Sequence, residues 1–211
     1  MVITDIIPVA KQKYKITTDE QLTFVLYKGE LSHYQLDVGV DISENVWEEI
    51  YLLLEKRAKL RAMHLLTKMD YTESELYQKL VLGGYTESAV ECAIQYVKSY
   101  HYLDDKRYVK KYMEQPNNKS HRQKEFELEK KGISKDLIRQ WSKERDEEQD
   151  SNDVIGITDE TVLIRNLLEK RCKNPMEADD KEKMKHYAYL ARKGFLSSDI
   201  MQVFESYFCC D

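Results

Sequence analysis

The sequence predicts a mainly α-helical fold, in which three tandem three-helix repeats form an extended arm preceded by a small N-terminal antiparallel β-sheet. Three observations carry this reading. Glycine and proline are scarce, at 7 and 3 of 211 residues, and these two residues punctuate loops rather than helices. From Ser43 onward the apolar residues keep helical spacing. A helix-ending pattern built around a glycine also occurs three times.

The first forty residues read as strands. Val2 to Val9, Tyr14 to Thr18 and Leu22 to Tyr27 are rich in β-branched and aromatic residues, which suit a pleated surface. Polar residues break the run at Lys11-Gln12-Lys13, Asp19-Glu20 and Lys28-Gly29-Glu30. So few short strands are marginal alone, so they are expected to lean on the helix that follows. In that helix Val46, Trp47, Ile50, Tyr51 and Leu54 follow i, i+3, i+4 spacing, and Ala58, Ala62, Leu65, Leu66 and Met69 continue the stripe. Thr72 and Glu75 form a capping box that opens the next helix through Leu76, Tyr77 and Leu80. Gly83-Gly84 closes it, and Thr86 caps a third helix carrying Val90, Ala93, Ile94 and Val97.

That closing pattern returns twice. Leu80-x3-Gly84-Tyr85-Thr86-x3-Val90 matches Leu128-x3-Gly132-Ile133-Ser134-x3-Ile138 and Leu190-x3-Gly194-Phe195-x-Ser197-x2-Ile200. The leucine ends a helix on its buried side, the glycine takes a left-handed cap, an apolar residue plugs the turn and a hydroxyl caps the next helix. Self-similarity on this scale means stacked helical units. The boundaries expected are a β-rich region at 1–42, a linking helix plus first repeat at 43–105, a second, basic repeat at 106–150, and a third repeat at 151–211.

Several function classes are not supported. No run of about eighteen apolar residues exists, so no membrane span is expected. The start MVITDIIPVAKQ lacks the pattern of a signal peptide. Cys92, Cys172, Cys209 and Cys210 show neither metal spacing nor a disulfide framework, which suits a reducing cytoplasm; Cys209-Cys210 reads as an inert tail. The five histidines fall in different elements, and Gly83-Gly84 is part of a repeat rather than a phosphate loop. Asp104-Asp105 resembles a carboxylate pair, but one of the two capping the helix that begins at Lys106-Arg107 is the simpler reading. No catalytic residue, metal or cofactor is therefore assigned, and an enzyme is not expected.

Charge supplies the positive signal. The net charge is −5, yet residues 106–143 carry 12 basic and 5 acidic side chains, against 5 and 10 in 1–56. Residues 144–157 swing back to 1 basic and 6 acidic. In one helix Arg107, Lys110 and Lys111 share a side, with Tyr108, Val109, Tyr112 and Met113 forming the neighbouring apolar stripe. After the break at Pro116-Asn117-Asn118 come Arg122, Lys124, Lys130 and Lys131. A solvated face is the ordinary fate of a charge run. Clustering in one repeat favours attraction to phosphates or to an acidic protein groove.

Tyr102-Leu103-Asp104-Asp105-Lys106-Arg107-Tyr108, Leu128-Glu129-Lys130-Lys131-Gly132-Ile133 and Leu190-Ala191-Arg192-Lys193-Gly194-Phe195 resemble repeat signatures of the RecX regulatory proteins. The resemblance covers roughly 57–205, and the β-rich start is similar to the N-terminal extension of some members. It implies a curved, elongated body of three three-helix repeats, acting in the cytoplasm in recombination, DNA repair and the SOS response. It implies a RecA filament on DNA as partner, bound in the filament groove so as to restrain strand exchange, ATP hydrolysis and coprotease activity. Single- or double-stranded DNA is a further contact it allows, and a monomer is expected. By the same resemblance Arg107, Lys110, Lys111, Arg122, Lys124, Lys130 and Lys131 become contact candidates, followed by Arg192 and Lys193. The chain departs from the family pattern in its acidic net charge and in the glycine-free loop Pro116-Asn117-Asn118-Lys119-Ser120.

Two other readings stand beside this one: a direct DNA-binding protein with helix-turn-helix-like modules, and a general helical protein–protein adaptor. A helix of about twelve residues is roughly 18 Å long, so three stacked modules are long enough to touch successive subunits of a helical polymer. If Leu128 is a repeat core residue, Leu128→Ala costs roughly 2–5 kcal/mol in urea unfolding. A change near zero would place it on the surface.

Overall fold

The computed structural model describes residues 1–149, 159–171 and 179–208. The readings at Cys172, at Cys209-Cys210 and over residues 150–157 of the acidic stretch 144–157 lie outside those described residues. The chain divides into two compact units, Met1–Asp105 and Lys106–Asp211.

The first unit opens with an antiparallel sheet of β1 (Ile3–Ala10), β2 (Lys13–Thr18) and β3 (Thr23–Tyr27), in that order. The turns fall where polar residues interrupt the runs: Gln12 and Gln21 adopt positive φ, and Asp19 Oδ1 accepts from the Val2 and Glu20 N–H groups. Alternation puts Ile16 of β2 and Phe24 and Leu26 of β3 in the core. Pro8 sits on the edge strand β1, where a missing donor is tolerated. The sequence marked only a polar break after β3, at Lys28-Gly29-Glu30. Instead a short helix, α1 (Lys28–His33), forms there, because the Glu30 carboxylate reaches back to the Tyr27 N–H at 2.8 Å.

The helix α2 (Glu44–Leu66) covers the sheet, and α3 (Glu73–Leu82) and α4 (Glu87–Ser99) complete the unit. Ile50, Leu54, Ala58, Ala62 and Leu65 form the buried stripe of α2, while Trp47 packs its ring 5.3 Å from Phe24. Met69 falls outside the expected stripe: α2 ends at Leu66, and Met69 is 57% exposed. The Thr72–Glu75 capping box forms as spaced. Strands and helices share one core, so the sheet does lean on its helices.

The second unit holds α5 (Asp105–Glu114, its first residue counted in the first unit), α6 (His121–Lys130), α7 (Lys135–Gln149), α8 (Asp159–Arg171), α9 (Asp180–Arg192) and α10 (Ser197–Phe208). Val109, Met113, Leu128, Ile133, Ile138 and Trp141 make one core under α5–α7. Ile164, Leu168, Leu190, Phe195, Ile200 and Val203 belong to another under α8–α10. The described helices from α2 onward thus fall into three groups of three.

The repeated turn takes the same form in each group. Gly84, Gly132 and Gly194 have φ of +84°, +85° and +86°, where a Cβ is strained. Ile133 and Phe195 each donate from the backbone to the leucine carbonyl five residues back, at 3.1 and 3.3 Å. The hydroxyls vary more. Ser134 accepts from the Leu137 N–H at 3.3 Å, whereas Thr86 stands at an N-cap without a side-chain cap bond. Ser197 already lies inside α10 and accepts from the Tyr187 hydroxyl at 2.8 Å.

Two of these glycines also permit close approach. The Val25 N–H donates to the Gly84 carbonyl at 3.0 Å, which closes the free edge of β3. A Cβ on Gly84 would stand 2.2 Å from Val25 Cγ2. Ser120 Oγ donates to the Lys193 carbonyl at 2.8 Å, and a Cβ on Gly194 would stand 2.8 Å from Ser120 Oγ. Left-handed strain and the clash together predict that Gly84→Ala costs about 2–4 kcal/mol in urea unfolding. An unchanged midpoint would contradict this account of the turn.

Candidate functional site

The structure sorts the predicted basic residues into different roles. On α5, Val109 and Met113 are buried, Tyr108 and Tyr112 are half-buried, and Arg107, Lys110 and Lys111 are exposed. The three cations therefore share the solvent side of the helix, as their spacing predicts. Glu114 lies on the same side, 4.0 Å from Lys110, a surface pair of little energetic weight. The Tyr108 and Tyr112 rings stack 6.2 Å apart along the flank.

A network fixes this helix to its neighbour. The Tyr112 hydroxyl donates to Glu127, and Lys119 Nζ stands 2.5 Å from the same carboxylate. Lys119 and Tyr112 hold the Glu127 carboxyl below its usual range. Burial first, and then the bond to Glu127, push the Tyr112 phenol up.

Lys124 is a correction to the expected surface. It is only 6% exposed, and its ammonium donates to the Met113 carbonyl at 2.7 Å and the Gln115 carbonyl at 3.0 Å. It satisfies the carbonyls that the end of α5 leaves without helical partners. The reason is its position: Lys124 stands four residues before Leu128, on the buried face of α6.

The remaining α6 candidates are exposed or half-exposed. Arg122 and Lys130 lie on the outer face with Phe126 between them, four residues from each. Phe126 is 55% exposed, and Lys130 Nζ sits 4.5 Å from its ring centroid. Sequence reasoning missed this aromatic, although the Arg122-x3-Phe126-x3-Lys130 spacing was there to read. Lys131 is half-buried, its ammonium 5.8 Å from the Tyr108 ring, which links the end of α6 to α5.

Arg192 is exposed and Lys193 half-buried, with the Lys193 ammonium 5.4 Å from the Tyr189 ring. The structure brings this turn against the start of α6. Besides the Ser120–Lys193 bond, a Cβ on Gly194 would stand 3.8 Å from Arg122 Cβ. Arg122 and the Arg192-Lys193 turn are thus neighbours, a proximity that positions 70 residues apart could not disclose.

Of the pair 104–105, where one residue was expected to cap α5, Asp105 takes a different role. The helix begins at Asp105 itself, and its carboxylate accepts from the Glu73 N–H at 2.8 Å, the first amide of α3. Burial raises its pKa against the pull of that bond. Glu160, in the first turn of α8, likewise accepts from the His121 N–H, the first amide of α6. Asp105 is structural wiring on this geometry. Among the described residues no group of three or more His, Cys, Asp or Glu side chains could hold a metal ion. No described helix is long and apolar enough to cross a membrane.

Fold and surface together define a protein of tandem three-helix domains with a cationic face on its second unit. Residues 58–96 match the model of the first three-helix domain of RecX, and residues 158–204 match that of the third. A regulatory protein RecX of Vibrio campbellii is 34% identical over 140 residues, covering 65% of this chain and 83% of that relative. Another, from Caldanaerobacter subterraneus subsp. tengcongensis, is 28% identical over 193 residues, covering 90% and 92%. A crystal structure of regulatory protein RecX superposes with a TM-score of 0.61 at 22% identity, covering 96% of this chain and 98% of that one. The RecX structure from Lactobacillus salivarius gives 0.55 at 18% identity, covering 73% and 96%. The chain belongs to the RecX family of regulatory proteins.

The position of Lys124 yields a test. Lys124→Met keeps the bulk but leaves two helix-end carbonyls without their donor, so stability should fall by about 1–3 kcal/mol. Equilibrium denaturation measures this, and full retention of stability would show that the ammonium is not needed there.

Proposed function

We propose that this chain is a non-enzymatic cytoplasmic regulator that binds in the groove of RecA filaments on DNA. By occupying that groove it restrains strand exchange, ATP hydrolysis and coprotease activity. The observation that carries the reading is the placement of Arg107, Lys110 and Lys111 on the solvent side of α5, opposite Val109 and Met113. Arg107 lies in the first turn of α5, where positive charge opposes the helix dipole, and Lys110 lies mid-helix, so neither serves a helix end, and a partner is the natural use for such a cluster. Membership of a family of regulatory proteins supports it.

Arg122, Lys130 and the Arg192-Lys193 turn supply a second contact region, and Lys131 reaches toward the first through Tyr108. Linked contacts of modest strength multiply when several are made at once. Such a clamp needs no bond-making chemistry: it works by excluding what the groove would otherwise admit.

One feature favours contact with DNA as well. Phe126 stands exposed between Arg122 and Lys130, and an aromatic flanked by cations suits a stacked base beside phosphates. Bare single-stranded DNA therefore forms the parallel arm of the test.

The experiment is RecA-catalysed ATP hydrolysis on single-stranded DNA, titrated with the wild-type chain and with a Lys110→Glu, Lys111→Glu variant. The variant should need about tenfold more protein for half-inhibition, with its urea midpoint unmoved beyond about 0.5 kcal/mol. Equal inhibition by both proteins would sink the proposal, as would absence of inhibition by the wild type at low salt. Retention of bare DNA that is steeply salt-dependent, without any effect on RecA, would move the function to direct DNA binding.

A further inference from the structure

The first unit contains a cavity of about 260 Å³ between β3, α2 and the Gly83-Gly84 turn. Its lining includes Lys13, Tyr27, Arg57, Arg61 and Tyr85, and no carboxylate. Yet the first unit, residues 1–105, carries 17 acidic side chains against 11 basic ones. Three cations thus converge in the more acidic part of the molecule, a grouping that average charge does not explain.

The geometry shows how they are held. Arg57 turns its two terminal nitrogens to the two oxygens of Glu30, one of them at 2.9 Å, which fixes the guanidinium plane. Arg57 Cζ lies 4.7 Å from the centroid of the Tyr27 ring, and Lys13 Nζ lies 5.3 Å from the same centroid. Lys13 and Tyr27 are direct partners in the β2–β3 ladder. Arg61 follows Arg57 by one turn on the same side of α2 and is exposed. Among the described residues neither Lys13 nor Arg61 forms a salt bridge. Tyr85 is half-buried: burial raises its phenol pKa, and Arg57 and Arg61 both act to lower it.

This arrangement costs the free protein something. Like charges four residues apart on a helix repel, and one carboxylate, Glu30, stands against three cations. The balance left over is two positive charges. The two glycines contribute backbone alone to one wall, with Val25 and Tyr85 packed close against them. Val25 and Leu60 add an apolar rim.

We propose that this cavity binds a phosphomonoester dianion carrying a small ring-bearing group. Two residual positive charges match the two negative charges of the phosphate. Arginine forks and phenol hydroxyls are the donors that such oxygens take. A volume below the roughly 300–1,000 Å³ of drug-sized sites admits the phosphate and its first ring, and no more. The ring lies against Tyr85, Val25 and Leu60. This site is separate from the basic face of the second unit and does not depend on the function proposed for that face.

The test uses the full chain with three probes in isothermal titration calorimetry: AMP, adenosine, and a short oligothymidine bearing a 5′-phosphate. Amide NMR shifts at Val25 and Gly84 report the location. AMP should bind saturably and move both amides, while adenosine should do neither. Binding by the phosphorylated oligothymidine as well would identify the end of a strand as a source of the same group; binding by AMP alone would identify a free metabolite.

Lys13→Glu with Arg61→Glu should weaken AMP binding about tenfold or more, and Arg61→Lys should retain most of it. Arg57 is left intact because its loss would orphan Glu30. Lys110→Glu, in the second unit, should leave AMP binding unchanged. Equal binding of adenosine, no saturable binding of AMP, or loss through Lys110→Glu rather than Arg61→Glu would overturn the assignment.

Discussion

At residues 84, 132 and 194 the chain leaves a helix through a glycine whose φ lies near +85°, and much of the architecture depends on that reversal. The conformation excludes a Cβ on energetic grounds, and at two of the three sites the space excludes it as well. Val25 stands where the Cβ of Gly84 would be, and the Ser120 hydroxyl where that of Gly194 would be. The turn therefore does two jobs. It sends the chain into the next helix, and it presents bare backbone for another element to dock upon. In the first unit the docking element is the edge strand of the sheet, so one carbonyl closes a β edge and seats the sheet on the helices.

The same turn explains why some of the cations are where they are. Lys130, Lys131, Arg192 and Lys193 immediately precede their glycines, at the ends of α6 and α9. Positive charge at a helix C-terminus is favourable in its own right, so these four residues have a structural reason to be basic. Lys124 has another, since it closes the end of α5 from inside the protein. Arg107 and Lys110 have neither reason, and of the three cations on the outer face of α5 only Lys111 falls in its last turn. That difference in physical justification is what singles out the outer face of α5 within a crowd of twelve basic residues.

The repeat, its glycines and the helical stripes were legible because each is a local pattern: a leucine four residues before a glycine, or an apolar residue every third or fourth position. The capping box at Thr72 and Glu75 was legible for the same reason. Lys124 was misread because charge was taken to mean surface. Its four-residue offset from Leu128 pointed the other way. The end of α2 was set too late at Met69, since apolar character outlasted the helix. The sequence left open which of Asp104 and Asp105 caps α5, and it gave no sign that the Asp105 carboxylate serves the first amide of α3, 32 residues earlier. The neighbourhood of Arg122 and Lys193, and the convergence of Lys13, Arg57 and Arg61, left no trace in the sequence. Each joins segments that only folding brings together.

The central claim is that the outer face of α5 meets the groove of a recombinase filament. Electron cryo-microscopy of RecA filaments on single-stranded DNA, decorated with this chain, tests it most directly. The account predicts continuous density along the groove, with Arg107, Lys110 and Lys111 turned into the filament. Density confined to filament ends or the outer surface, or α5 turned toward solvent, would contradict it.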